Sequence, residues 1–137
     1  MNIKIISAIL SLVISQGGAH AESTDAILKH YEQSARGADK GFSGFSASRG
    51  KELYFRKEQS PKGEISCSTC HTTNPKAVGR TRANKDIEPL APSANEQRFT
   101  DLKHVEKWFA RNCDDVLRRP CSTQEKGDFV TYLLSIK

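Results

Sequence analysis

Apolar positions along the chain form one largely continuous run and a set of amphipathic stretches. The run, Ile5 to Ser15, follows the single cation Lys4, and Gln16-Gly17-Gly18 breaks it ahead of Ala19-His20-Ala21. Beyond it, Ser23-Thr24-Asp25 can cap a helix in which Ile27, Leu28, Tyr31 and Ala35 share one face. Residues 37–48 are rich in Gly and Ser and read as a flexible connection. A second helix is expected to begin near Ser48 and to carry Gly50, Leu53, Tyr54 and Phe55. Segment 72–99 holds Pro75, Pro89 and Pro92, shows little periodicity, and is expected to wrap a cofactor instead of forming regular structure. Thr100-Asp101 opens a further helix running to about Asn112. Ser122-x-x-Glu125 is a capping-box pattern at the head of the last helix, which should bury Phe129, Leu133 and Ile136. There is no convincing β alternation and no internal repeat, so the expected class is all-α.

The N-terminal run is too short to span a bilayer, and its flanks match an export signal cleaved after Ala21. The expected organisation is therefore a signal peptide at 1–21 and one domain at 22–137. Cleavage removes Lys4 as its only charge, so the net charge falls from +5 to +4, and it removes the only methionine, Met1. The mature chain is expected to be periplasmic and monomeric, with no stable membrane insertion. The basic residues are scattered, which excludes a nucleic-acid tract. The positive balance suits docking to an acidic redox partner such as another cytochrome.

Four cysteines fall into two pairs. Cys67-Ser68-Thr69-Cys70-His71 is the C-x-x-C-H sequence for covalent attachment of one haem c. Two thiols three residues apart lie on one helical turn and can add to two vinyl groups, while His71 is carried beneath the iron as proximal ligand. A thioredoxin-like site would need a βαβ context, and a zinc site a better-spaced second pair. Cys113 and Cys121 have no other partner in an exported chain, so a disulfide is expected. It would contribute roughly 2.5 kcal/mol through loop entropy.

Gly50-x-x-x-Tyr54 and Phe129-x-x-Tyr132 would let two helices cross closely, glycine at the contact and aromatic rings around it. With C-x-x-C-H between them, the arrangement resembles the terminal helices of class I cytochromes c. The stretch before residue 37 would be an additional N-terminal helix on that fold.

Electron-transfer members of that class typically place a Met thioether on the second face of the haem, which a mature chain without methionine cannot do. His30, His104, a deprotonated Lys, an Asn or water remain. At about 100° per residue with Val105 at 0°, Leu102 falls near +60°, Phe109 near +40° and Trp108 near −60°. Asn112 falls near −20°, inside that stripe, and His104 near −100°, at its margin. A polar amide on a buried face needs a partner, which could be iron, but Asn also caps helix C-termini. Trp108 is expected to pack on the haem or the core. Periodicity alone leaves Asn112 and His104 both open as ligands.

Arg98-Phe99-Thr100-Asp101, Val105-Glu106-Lys107-Trp108, Arg111-Asn112-Cys113 and Lys85-x-Ile87-x-Pro89-Leu90-Ala91-Pro92-Ser93 resemble the sphaeroides haem protein family. The similarity runs from about Thr24 to the C-terminus, with the linker at 37–48 differing most. It implies His71 as proximal ligand, Asn112 as distal ligand of the ferric state, and a Cys113–Cys121 disulfide. It also implies a haem that loses the asparagine on reduction and then binds oxygen or nitric oxide. Two readings follow, a gas-binding haem protein and a plain electron shuttle between periplasmic partners. A third, peroxide reduction, would need a distal acid–base group, for which His104 is the obvious residue.

The attachment motif generates a direct test. Haem should stay with the polypeptide through acid-acetone extraction, and Cys67→Ala should leave one thioether or block maturation. Free extraction from the unaltered protein would defeat that reading.

Overall fold

Ser23, Ser46, Asp101 and Ser122 each stand before a helix and accept, through a side-chain oxygen, a first-turn N–H of Ala26, Arg49, His104 and Glu125 respectively. In this computed structural model, which describes residues 23–137, they open four of five helices. The five are α1 (Thr24–Ala38), α2 (Ala47–Phe55), the short α3 (Cys67–His71), α4 (Leu102–Leu117) and α5 (Thr123–Ser135). The signal segment expected at 1–21 lies outside the described residues. The fold is mostly helical, as expected, and no described helix is long and apolar enough to cross a membrane.

Two antiparallel pairs of short strands depart from the purely helical expectation. Strand β1 (Glu58–Ser60) pairs with β2 (Gly63–Ile65), Glu58 opposite Ile65. Strand β3 (Gly79–Arg80) pairs with β4 (Asp86–Ile87), Gly79 opposite Ile87. Strands of two or three residues show too little alternation to be seen in a hydrophobic pattern.

Helix α4 corrects a second expectation, because it continues past Asn112 to Leu117. Its C-cap is Arg118, in a left-handed conformation at φ 58°. Asn112 therefore sits inside the helix and caps nothing. The α4 residues that bury are Val105, Phe109, Cys113 and Val116. Their mean direction lies near +35° on the same wheel, so Asn112 is about 55° off the buried axis. Trp108 is 40% exposed, so of the two places expected for it, the haem or the core, the core is ruled out.

Helices α2 and α5 cross at backbone contact. A Cβ at Gly50 would collide with the Asp128 carbonyl and the Tyr132 Cβ, so only glycine permits this approach. Tyr54, Phe129 and Tyr132 surround the crossing, with Tyr54–Tyr132 ring centroids 5.6 Å apart. Asp128, 3% exposed, is satisfied from four directions. It accepts from Ser46 N–H at 2.7 Å, from Arg49 Nε and Nη2 at 2.7 and 2.8 Å, and from Gln124 Nε2 at 3.0 Å. The segment before α2 is accordingly anchored where flexibility was expected. Arg49 also donates to the Gly44 carbonyl at 2.9 Å, and Phe42 and Phe45 stack edge to face.

Helix α1 packs on α5 through Ile27, Tyr31 and Ala35. Tyr31 donates to Glu106 Oε1 at 2.6 Å, and Lys126 Nζ to Glu106 Oε2 at 2.7 Å, so one carboxylate joins α1, α4 and α5. Burial raises the Tyr31 hydroxyl far above its usual range, and Glu106 adds to the effect. For Glu106, burial opposes the charge, but the bonds from Lys126 and Tyr31 outweigh it and hold the carboxyl below its ordinary value.

Gly50→Ala should cost about 3 kcal/mol in urea unfolding, because backbone cannot yield as a side chain can. Gly37→Ala, where an added Cβ meets nothing within 4 Å on α1, should not destabilise. Equal effects at both positions would contradict the crossing as described.

Glu125 closes the α5 capping box, and the Arg119 hydrogen bond, more than any other cause, holds its carboxyl down at about 2. A depressed folded pKa means the contribution is fully present above the ordinary 4.5 and is lost as pH falls through 2. Glu125→Ala should therefore cost about 1 kcal/mol at neutral pH and progressively less below pH 4.5. A difference that does not change with pH in parallel unfolding titrations would contradict this.

Candidate haem-binding site

Helix α3 is only five residues long, and it is held from three sides. Ser66 N–H donates to Thr69 Oγ1 at 2.9 Å, fixing its first turn. The buried Tyr54 of α2 donates its hydroxyl to the His71 carbonyl at 3.0 Å and the Thr72 carbonyl at 2.7 Å. Strand β3 lies against it so closely that a Cβ at Gly79 would collide with the Cys70 carbonyl. Tyr54 was legible only as a packing residue. A buried phenol needs a polar partner, and the end of a short helix supplies unpaired carbonyls.

Cys67 and Cys70 occupy one turn of α3 and are partly buried, neither in a disulfide. Cys67 packs at the edge of the core, and burial pushes its thiol up to about 11. His71 follows directly. Burial, with the nearby Arg98 guanidinium adding to it, pushes its imidazole down to about 4, so the ring is neutral near pH 7 and keeps a lone pair for a metal. Two thiols on one turn and an adjacent neutral imidazole, with Gly79 packed against the same turn, fit a covalently held haem. Cys113 and Cys121 are bonded to each other, S–S 2.02 Å, and offer no thiolate to a shared zinc site.

The basic residues of 72–99 separate clearly. Arg98, half-buried, donates from Nε to the Pro89 carbonyl at 2.8 Å and from Nη2 to the Glu88 carbonyl at 2.6 Å, so it is a structural clip within the chain of 88–98. Arg80 pairs with Asp86 at 3.1 Å on the β3–β4 hairpin, while Arg82 and Lys85 are exposed.

The possible second ligands lie on two helices, His30 on α1 and His104 and Asn112 on α4. His30, on α1, is exposed and stacks edge-on against Tyr31. His104 is exposed and accepts the Trp108 indole N–H at Nε2, 2.8 Å away. Asn112 is exposed on the flank of α4, one turn beyond Trp108, and its carboxamide has no hydrogen-bond partner among the described residues. The Cys113–Cys121 bond holds the backbone immediately after it.

Comparison with known proteins bears on this arrangement. Residues 40–133 match a family described as a domain of unknown function, DUF1924. The chain is 37% identical to cytochrome c'' of Methylophilus methylotrophus, over 98% of this chain and 96% of that one. It is 38% identical to the cytochrome c-type protein SHP of Cereibacter sphaeroides, over 91% and 94%. Among solved structures, oxidised cytochrome c'' superposes with a TM-score of 0.74 at 38% identity, covering 82% of this chain and 93% of that one. Oxidised SHP, an oxygen-binding cytochrome c, superposes with a TM-score of 0.70 at 37% identity, covering 82% and 96%. A solution structure of cytochrome c'', which addresses haem-ligand detachment, gives 0.72 at 38% identity, covering 82% and 92%. With these identities over nearly its whole length, the chain belongs to the family of c-type cytochromes that contains SHP and cytochrome c''.

Proposed function

We propose that the chain is an exported, periplasmic c-type haem protein that takes up an electron and then exchanges the Asn112 side chain for oxygen or nitric oxide. Cys67 and Cys70 would hold the haem through thioethers, His71 would be its proximal ligand, and Asn112 its distal ligand in the ferric state. When bound, haem c supplies the redox-active iron and the position at which a diatomic gas is held.

The setting of Asn112 carries the reading. It lies inside α4, with no cap to make, directly before the disulfide cysteine Cys113, in a chain whose only methionine is Met1. A carboxamide oxygen is a hard, neutral donor, better matched to ferric than to ferrous iron. Reduction removes a positive charge and weakens its hold. The disulfide fixes Cys113, so release would move a side chain and leave the helix in place.

The relatives support this direction, since SHP is an oxygen-binding cytochrome c and haem-ligand detachment is addressed in cytochrome c''. The disulfide fits an oxidising compartment reached through the 1–21 signal. A net positive chain suits an acidic redox partner.

Absorption spectra of the oxidised and reduced protein, with and without carbon monoxide, test the reading. The ferrous protein should be high-spin and bind carbon monoxide rapidly. Asn112→Ala should open the ferric site to water or azide, whereas His104→Ala should leave the spectra nearly unchanged. A low-spin ferrous form indifferent to carbon monoxide would overturn gas binding and leave plain electron transfer.

A further inference from the structure

Trp108 is the only tryptophan and one of two large apolar side chains that stand exposed among the described residues. Exposure normally leaves an indole free to turn, but this one is clamped. Its Nε1–H donates to His104 Nε2 at 2.8 Å, four residues before it. From three residues after it, the Arg111 guanidinium lies 5.2 Å from the ring centroid. The two attachments, one at the ring edge and one over its face, fix the plane of the indole as well as its direction.

Asn112 follows Trp108 by four residues, so their Cβ atoms lie about 5–6 Å apart on one helix face. Helical side chains lean toward the N-terminus, and the Asn112 carboxamide therefore leans over the turn that carries the indole. Whatever takes the place of that carboxamide must fit beside an indole held at its edge by His104 and over its face by Arg111. We propose that Trp108 sets the size limit of the ligand site, admitting diatomic gases and excluding bulkier ligands, with His104 as the positioning residue that keeps the indole in place. This rests on Asn112 being the distal ligand.

The test compares carbon monoxide with ethyl isocyanide on the ferrous holoprotein. Trp108→Ala should improve the affinity for ethyl isocyanide relative to carbon monoxide by about tenfold or more, the scale on which a pocket wall discriminates by size. His104→Leu, which removes the acceptor and keeps the indole, should move the ratio part of the way. His104→Gln, whose amide oxygen can accept the same N–H, should restore it. A readout independent of ligand affinity is the single indole N–H proton resonance in the diamagnetic carbon monoxide complex. It should shift in His104→Leu and return toward its original position in His104→Gln. Carbon monoxide binding with an unchanged ligand ratio in Trp108→Ala would overturn the proposal, as would an indole resonance indifferent to both His104 variants. Failure of the unaltered ferrous protein to bind carbon monoxide would overturn the Asn112 reading, and this one with it.

Discussion

The contact between the backbones of α2 and α5 at Gly50 and Asp128 is the constraint on which both halves of the proposed site depend. On one side, α2 ends at Phe55, five residues after the contact, and the hydroxyl of Tyr54 reaches the carbonyls of His71 and Thr72. On the other, α5 presents Phe129 to Phe109 of α4, ring centroids 5.6 Å apart, and so sets the helix that carries Asn112. A shift at the crossing would move His71 and Asn112 relative to each other. Glycine is required there, and the buried Asp128 carboxylate, bonded by Ser46, Arg49 and Gln124, holds the register of the contact.

A second tie keeps the additional helix from being a loose appendage. The Glu106 carboxylate accepts from Tyr31 of α1 and Lys126 of α5 while sitting on α4. The Lys126 ammonium also lies 5.9 Å from the centroids of both Tyr31 and Phe109. Removing Glu106 leaves the buried Tyr31 phenol and the Lys126 ammonium without this partner, which costs more than the bonds themselves contribute. Helix α1 thus braces α4 through Glu106, and the disulfide ties the last turns of α4 to the chain just before α5.

What could be read in the chain was what local chemistry encodes. Ser122-x-x-Glu125 located the start of α5 because a capping box is contiguous in sequence, and C-x-x-C-H located α3 for the same reason. Gly50 and Tyr132 pointed to the crossing because glycine and aromatic residues recur at helical spacing. Three features were not legible, each for a physical reason. Asp114 and Asp115 disguised the continuation of α4, whose end is set by Arg118 in a left-handed conformation that usually calls for Gly or Asn. Counting Trp108 as apolar dragged the inferred stripe toward Asn112, whereas the true buried face runs through Val116. The roles of Tyr54 and Arg98 depend on carbonyls brought to them by the fold, 17 and 9 residues away for His71 and Pro89.

The account as a whole turns on whether the asparagine donor belongs to one oxidation state only. X-ray absorption at the iron edge, on the same sample before and after reduction, addresses that directly. The account predicts six-coordinate iron with one nitrogen and one oxygen donor from the protein in the ferric state, and five-coordinate iron without the oxygen donor in the ferrous state. Six-coordinate iron with an unchanged axial donor set in both states would contradict it.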